Sequence, residues 1–170
     1  DYLEVSDEIF AKIILDKDSP FLKSIIVNKG SKNNVKKGMA VLDGDYLIGK
    51  VVEVNYSTSR ALLLSDLNSK IPVTIEPGSY ECILSGTGRN QGIIQYLKED
   101  YIIEENSFVY ASGSGGLFKA GIPIGKIILS EEGDKKYVNF LSDFSQLKFI
   151  KIVSYKKETK EWPNFQNQVL

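Results

Sequence analysis

Short runs of β-branched and aromatic residues recur about every 8–14 residues along the chain, with Gly, Asn, Asp and Ser between them. This spacing is typical of a β-sandwich or a β-barrel. The runs predict strands at Ile9–Leu15, Leu22–Asn28, Ala40–Leu42, Leu47–Asn55, Arg60–Leu64, Ile71–Ile75, Tyr80–Ser85, Gly92–Tyr96, Phe108–Ser112, Ile122–Leu129, Lys135–Phe140 and Lys148–Val153. Helical patterns are scarce, so the sequence predicts an all-β protein with few short helical turns.

These strands are numerous enough for two small β-barrels of about six strands each, and closing a barrel removes exposed strand edges. The turn at Glu76–Ser79 has Pro followed by Gly, which favours a type II turn, and we expect it to separate the two lobes. The first barrel is then predicted at residues 11–75 and the second at 80–153, with a linker at 1–10 and a flexible tail at 154–170. The last strand could instead return to the first barrel. No repeat of fixed period is visible.

Two of the predicted strands have apolar side chains on both faces. They are Leu47–Val54 and Ile122–Leu129. In a small barrel, inward apolar positions alternate with outward polar ones, so a strand with two apolar faces should be covered on both sides. We therefore expect these two strands to lie where the barrels meet.

The composition excludes several kinds of function. The chain has 170 residues, a formal net charge of −1 and no histidine. Without imidazole there is no Ser–His–Asp or Cys–His catalysis and no usual zinc site, and without excess positive charge there is no general attraction to nucleic acid. The single cysteine, Cys82, cannot form an internal disulfide, and no apolar run reaches the about 20 residues that span a bilayer. We therefore predict no catalytic residue, no cofactor, no metal ion and no nucleic-acid partner.

Two glycine-rich segments could be chemical sites. Ser114, in the segment Ser112–Gly116, resembles the nucleophile turn of chymotrypsin-like proteases, and its conceivable bases are Lys119 and Lys126. A Ser–Lys hydrolase therefore stays open as an alternative. The segment Gly86–Gly92 resembles a phosphate-binding loop, but such loops open a helix, whereas here a strand pattern follows. A hairpin loop is the favoured interpretation.

Other glycines are predicted to serve the backbone, because glycine adopts positive φ and admits a close approach of strands. They are Gly30, Gly44, Gly49, Gly113, Gly116, Gly121 and Gly125. Leu117 and Phe118 follow Gly116 in a glycine-rich connection, where the fold does not require large apolar side chains. We predict that these two residues form a protein interface, with the alternative that Phe118 plugs the end of a barrel.

The run Ala111–Ile127 resembles the signature of the MreC family of rod shape-determining proteins. That signature has a Thr-Ser-Gly turn, then Gly and Phe-Pro, then Gly-Ile-Pro-Val-Gly-Lys-Val, and this chain has Ser112-Gly113, Phe118-Lys119 and Gly121-Ile122-Pro123-Ile124-Gly125-Lys126-Ile127. Upstream segments also match the family pattern: Asn28–Gly30, Val35, Gly38, Gly44, Ile48–Val51, Ser59–Asp66 and Ile71–Val73. The match covers about residues 11–153. The chain departs from the pattern at Ala111 (Thr in the family), Lys119 (Pro) and Asn106-Ser107 (Gly-Asp).

The resemblance implies a function. MreC-like proteins are non-catalytic scaffolds of the cell-wall elongation machinery, with two periplasmic β-barrels that follow a coiled coil and one inner-membrane helix. By this resemblance, residues 1–10 would be a linker from the coiled coil, and contact with the membrane would be made only by the N-terminal helix, which we expect to precede this sequence. The implied role is to maintain cell shape by binding and regulating peptidoglycan synthases. The implied partners are the elongation-specific penicillin-binding transpeptidase, MreD, the MreB system and further copies of the chain, bound through the coiled coil and the barrels.

Two alternatives belong to other functional classes. One is the Ser–Lys hydrolase, built on a protease-like double barrel. The other is a peptidoglycan-binding module, in which Tyr96, Tyr101 and Tyr110 would supply an aromatic platform.

Overall fold

The computed structural model describes residues 3–18, 22–116 and 118–157. In these ranges the backbone forms twelve strands and three 3-10 turns. The strands are β1 (Leu3–Asp18), β2 (Lys23–Val27), β3 (Ala40–Asp43), β4 (Tyr46–Val54), β5 (Ser59–Leu63), β6 (Lys70–Glu76), β7 (Tyr80–Gly86), β8 (Gln91–Gln95), β9 (Phe108–Ala111), β10 (Pro123–Leu129), β11 (Lys136–Phe140) and β12 (Phe149–Lys157). The 3-10 turns span Ser31–Asn33, Ser114–Gly116 and Phe144–Gln146. Within the described ranges, no helix has the length and apolar character needed to cross a membrane.

The strands close into two six-stranded barrels. The first has the order β1-β12-β3-β4-β5-β2 and the second has the order β10-β11-β8-β7-β6-β9. Neighbouring strands are antiparallel. Apolar side chains alternate inward, as in β6, where Ile71, Val73 and Ile75 are each at most 1% exposed. The predicted all-β fold with two small barrels is therefore confirmed.

The predicted barrel boundaries are wrong in three places. Strand β6 belongs to the second barrel, because Ile75 pairs with Tyr80 in a hairpin around the turn 76–79. Strand β12 returns to the first barrel, where it pairs with β1 and β3, so the second barrel ends before residue 149. Strand β1 begins at Leu3, so most of the predicted linker at 1–10 is barrel strand. Of the predicted tail, residues 154–157 belong to β12, and the rest lies outside the described residues.

The two barrels repeat one arrangement. When β12 is matched to β6, the strand orders are the same, and Ile48-Gly49-Lys50 in β4 corresponds to Ile124-Gly125-Lys126 in β10. The amide of Leu64 donates to the carbonyl of Ile48 at 2.9 Å, and the amide of Leu141 donates to that of Ile124 at 3.0 Å. The spacing between equivalent residues varies, because the β9–β10 connection is longer than the β3–β4 hairpin. This variation explains why no fixed period is visible in the sequence.

The barrels meet through β4 and β10, as predicted from their two apolar faces. These two strands contact each other, and Ile48 and Ile124 are both fully buried. Across the same seam, the hydroxyl of Ser142 donates to the Asp43 carboxylate at 2.6 Å. Buried side chains of both barrels form one continuous hydrophobic cluster, so the seam is part of the core.

The connection between the barrels is tied to the first barrel by Asp66 and to the second barrel by Ser69. The Asp66 side chain is fully buried, and its carboxylate accepts the amide of Lys23 at 2.8 Å and that of Asn68 at 2.7 Å. The amide of Gly86 donates to the carbonyl of Ser69 at 3.0 Å. Strands β7 and β8 join as a hairpin through 87–90, so the segment Gly86–Gly92 is the hairpin loop that its strand pattern favoured.

Gly125 and Gly49 allow each seam strand to lie close to its neighbour. A Cβ at Gly125 would overlap the carbonyl oxygen of Asn139 and come within 2.7 Å of Val138, and a Cβ at Gly49 would overlap the carbonyl oxygen of Leu62. Of the other predicted backbone glycines, Gly44, Gly116 and Gly121 have positive φ, Gly30 lies against the backbone of Asn55 and Tyr56, and Gly113 has neither feature.

We predict that Gly125→Val lowers the free energy of unfolding by about 1–3 kcal/mol, because the added atoms require β11 to move. Urea denaturation followed by circular dichroism measures the change. Lys126→Val is the matched control: it places the same side chain at the next, partly exposed position of β10 and should stay within about 0.5 kcal/mol of the parent. Equal midpoints for Gly125→Val and the parent would contradict the close approach.

We also predict that a chain ending at Leu147 fails to close the first barrel, because removing β12 leaves β1 and β3 without their shared partner. Amide hydrogen exchange should then show lost protection at Val27 and Val41 and retained protection at Cys82 in the second barrel. A chain ending at Lys157 keeps the whole of β12 and is the control. Protection of Val41 in the shorter chain would show that the first barrel closes without β12.

Candidate functional site

Ser114 lies in a turn in which no described residue is its catalytic partner. The hydroxyl of Ser112 donates to the Ser114 hydroxyl at 3.0 Å, and the amide of Ser114 donates back to Ser112 at 3.2 Å. Of the two candidate bases, Lys126 places its ammonium 5.0 Å from the centre of the Phe108 ring, and Lys119 is exposed. Among the described residues no lysine hydrogen-bonds to Ser114, so the arrangement is a local turn and forms no Ser–Lys dyad.

Phe118 is a core residue. Its side chain is 1% exposed and belongs to the hydrophobic cluster, which contradicts its predicted place on an exposed interface. The glycine-rich sequence around Phe118 indicated a surface loop, but the loop turns this ring inward, in agreement with the alternative that it fills the end of a barrel. Leu117, the other predicted interface residue, lies outside the described residues.

The three tyrosines of the predicted aromatic platform have separate surroundings. Tyr101 packs on Tyr80 with ring centroids 4.4 Å apart, and Tyr110 packs on Phe108 at 6.1 Å. Tyr96 is 77% exposed and has positive φ. A cavity of about 310 Å³ beside Tyr101 is lined by side chains of both charges. These rings therefore form no single platform.

Several large apolar side chains are exposed on the outer side of β1 and β12. Phe10, Ile14 and Phe149 are 71%, 53% and 68% exposed, and we call this surface the β1–β12 face. The strand register places Phe10 opposite Lys151 and Phe149 opposite Lys12, so the two rings are diagonal neighbours on one side of the sheet. Exposed apolar patches of this kind mark interaction sites.

Sequence reasoning missed the β1–β12 face, although a signal was present. In β1 the inward positions Ile9, Ala11 and Ile13 alternate with outward positions that include Phe10, Lys12 and Ile14, so apolar side chains occur on both faces. The same signal was used to place β4 and β10 at the seam. Applied to β1, it indicates a second covered face, which no other element of the described chain covers.

Two adjoining cavities lie beside the seam between the barrels, and together we call them the seam groove. Its main cavity has a volume of about 290 Å³ and is lined by Asn90, Asn139, Phe140, Leu141, Ser142, Asp143 and Phe144. A smaller cavity of about 70 Å³ shares Asn90 and Phe144 with it and reaches Leu63 and Ser65 of the first barrel. No local pattern in the sequence indicates this groove, because Asn90 in the β7–β8 turn lies far along the chain from the run Asn139–Phe144 that lines the rest of the cavity.

The shifted ionisable groups provide no base or nucleophile near neutral pH. Burial raises the pKa of the Cys82 thiol to about 12, with a further contribution from Glu81. Burial also raises the pKa of Tyr155 to about 12, with a contribution from Glu8. Hydrogen bonds from Ser130 and Ser145 lower the pKa values of Asp134 and Asp143. In the described ranges, no group of three or more His, Cys, Asp or Glu side chains could hold a metal ion.

Comparison with known proteins identifies one family. The family described as "Rod shape-determining protein MreC, barrel core" matches residues 13–154. A cell shape-determining protein MreC from Cereibacter sphaeroides is 30% identical over 142 residues, which cover 83% of this chain and 47% of that protein. The chain therefore spans about half the length of this curated relative.

Solved structures agree with this match. The crystal structure of MreC from Pseudomonas aeruginosa has a TM-score of 0.80 at 27% identity and covers 88% of this chain and 100% of that one. A structure described as the major periplasmic domain of the cell shape-determining filament MreC has a TM-score of 0.75 at 22% identity and covers 86% and 97%. A third is the complex between penicillin-binding protein PBP2 and MreC from Helicobacter pylori, with a TM-score of 0.63 at 16% identity, covering 86% and 99%. The last two show the fold alone.

We predict that Cys82 is alkylated by iodoacetamide at pH 8 at least about 100-fold more slowly in the native protein than in urea, because its raised pKa keeps the thiol protonated.

The raised pKa of Cys82 also makes the stability of the protein depend on pH. The unfolded thiol ionises near 9.0 and the folded one near 12, so the free energy of unfolding is unaffected below pH 9 and falls as the pH rises towards 12. Cys82→Ala, which lacks the thiol, is the control for the alkaline decrease. Fast labelling of the native protein would contradict the buried, protonated thiol.

Proposed function

The chain belongs to the MreC family of rod shape-determining proteins, and on that premise we propose that it is a non-catalytic periplasmic scaffold that binds and regulates peptidoglycan synthases. Its central partner in this proposal is the elongation-specific penicillin-binding transpeptidase. The supporting relative is the Helicobacter pylori MreC, whose structure was determined in a complex with PBP2. The role in this chain is to hold the synthase in place and so maintain cell shape.

The geometry of the barrels favours binding over chemistry. Small closed barrels fill their interiors with side chains, as Ile25 and Ile152 do in the first barrel and Val73 and Val109 do in the second. A partner would therefore bind to the outer surface of the described barrels. The closed, side-chain-filled barrel pair is the observation that carries the proposal of a scaffold.

We assign the synthase contact to the β1–β12 face. Phe10 and Phe149 are large, rigid and exposed, and aromatic side chains of this kind dominate the binding energy of protein interfaces. The rings lie among charged neighbours, since Lys151 lies opposite Phe10 and forms an ion pair with Glu8 at 3.4 Å. Lys12 lies opposite Phe149 in the same way, so the face presents two aromatic rings and two lysines side by side.

The family also supports wider assembly. We propose that the full-length protein is anchored in the inner membrane, that it contacts MreD and the MreB system, and that copies associate through a coiled coil and the barrels. In the described structure the N-terminal strand β1 lies beside the C-terminal strand β12. A segment that precedes β1 would therefore enter the first barrel next to the β1–β12 face. This arrangement would place the synthase contact beside the end of the coiled coil.

We predict that the chain binds the periplasmic domain of its organism's elongation-specific transpeptidase and that Phe10→Ser combined with Phe149→Ser weakens binding at least about tenfold, the effect expected for removing two aromatic anchors. Both side chains are exposed, so the melting temperature should change little. Biolayer interferometry measures the affinity, and circular dichroism measures the fold. Tyr56→Ser is the matched control, because Tyr56 is 73% exposed on the same barrel and lies outside the β1–β12 face.

Two outcomes separate the parts of this proposal. If the parent chain does not bind the transpeptidase domain, the synthase-scaffold proposal fails. If the parent binds and the double variant binds equally well, the scaffold proposal stands and the assignment of the β1–β12 face is wrong.

A further inference from the structure

The seam groove has an aromatic floor. Phe140 and Phe144 stack with ring centroids 4.7 Å apart and planes inclined by 13°. Phe144 is 9% exposed, and the half-buried Phe140 lines the main cavity. The cavity volume of about 290 Å³ is at the lower end of the range of about 300–1,000 Å³ that small-ligand sites occupy.

Polar groups with unused hydrogen-bonding capacity surround this floor. The side-chain nitrogen of Gln91 donates to the side-chain oxygen of Asn139 at 3.2 Å, so the Asn139 side-chain nitrogen keeps its capacity to donate, and Asn139 lines the groove. The Asn90 side chain is exposed and makes no hydrogen bond within the described residues. One oxygen of Asp143 accepts the amide and the hydroxyl of Ser145 at 3.0 and 2.6 Å, and the other oxygen has no partner in the described chain. The groove therefore offers both donors and ionised acceptors.

The repeated architecture supplies an internal comparison. The turn Ser142–Ser145 after β11 corresponds to Ser65–Asn68 after β5, and both Asp side chains accept the amide two residues further on. Asp66 is fully buried, and its second oxygen accepts the amide of Lys23. In the second barrel the equivalent oxygen of Asp143 has no partner among the described residues, and Asp143 lines the groove. In the first barrel both carboxylate oxygens of the turn therefore bind backbone amides, whereas in the second barrel one carboxylate oxygen can accept a hydrogen bond from a ligand.

This combination of groups matches a carbohydrate. A pyranose ring has apolar C–H faces that pack on an aromatic surface, and its hydroxyls both donate and accept hydrogen bonds, as amide and carboxylate groups require. An apolar peptide side chain would leave Asn90, Asn139 and Asp143 desolvated without partners, which costs free energy. The adjoining smaller cavity, which reaches Leu63 and Ser65, extends the groove beyond one ring.

We propose that the seam groove binds an oligosaccharide built of pyranose units, with Phe140 as the stacking surface and Asn90, Asn139 and Asp143 as the hydrogen-bonding groups. This site is separate from the β1–β12 face and goes beyond the scaffold function. A protein that holds a synthase through one surface would thereby hold a glycan through another.

The test is a titration of the whole 170-residue chain with chitotetraose and, separately, with cellotetraose, followed by ¹H–¹⁵N correlation spectra. We expect saturable shifts at Asn90, Asn139 and Asp143 with at least one of the two sugars. Asn90→Leu and Asp143→Asn should each raise the dissociation constant roughly three- to tenfold, the effect of one lost hydrogen bond. Asn90 has no side-chain partner to lose, and the amide introduced by Asp143→Asn would keep an oxygen acceptor for Ser145. Phe140→Leu, which keeps the apolar volume and removes the ring, should weaken binding further.

Asn68→Leu is the control, because Asn68 is an exposed amide in the equivalent turn of the first barrel. Its affinity for the sugar should equal that of the parent. The proposal is overturned if neither sugar shifts the groove resonances at millimolar concentration. It is also overturned if the shifts map to the cavity beside Tyr101, or if the groove variants bind as tightly as the parent while their spectra show an intact fold.

Discussion

The packing of β4 against β10 is the contact on which the arrangement of the molecule depends. Each of these strands faces its own barrel interior on one side and the other barrel on its second side, which explains why Ile48 and Ile124 are fully buried. Gly49 and Gly125 let the adjacent strands β5 and β11 lie against them without a Cβ between. The hydrogen bond from Ser142 to Asp43 then fixes the barrels at the rim of the seam. Because this contact orients the barrels, it also creates the seam groove.

The two barrels have the same strand order but use some equivalent side chains differently. Equivalent backbone hydrogen bonds, such as those from Gly38 to Val51 and from Asn106 to Ile127, both 2.8 Å long, have been kept in the two barrels. Equivalent side chains have not kept one role. Both oxygens of Asp66 accept backbone amides, one of them from Lys23 in the first barrel. Asp143 is exposed at the groove. The two barrels thus share their backbone pairing, and the turns that follow β5 and β11 differ in how they use the Asp side chain.

The features that local sequence patterns determine, namely the strand positions and the seam strands, were predicted from the sequence. Period-two alternation and turn residues placed the twelve strands close to their observed positions, and two apolar faces identified β4 and β10 as the seam. The barrel boundaries were wrong because strand pairing is non-local: nothing within Lys148–Val153 states that its partners are β1 and β3. Phe118 was placed on the surface because its neighbours are glycines, and local composition does not reveal which way a ring points. In the seam groove, Asn90 lies far along the chain from Asn139 and Asp143, so only the folded structure brings it beside them.

Because β12 returns to the first barrel, the second barrel can close before the first. All six strands of the second barrel lie between Lys70 and Phe140, so that barrel can close once β11 is present. The first barrel requires the pairing of Ile9 with Ile152, a contact between the two ends of the described chain, and contacts of long sequence separation form slowly. Until β12 arrives, β1 and β3 present unpaired edges that invite pairing with other chains. The two ends of the described chain are joined only when this last strand pairs, so the β1–β12 face exists only on a completely closed molecule. A partner that recognises this face would therefore select fully folded copies of the protein.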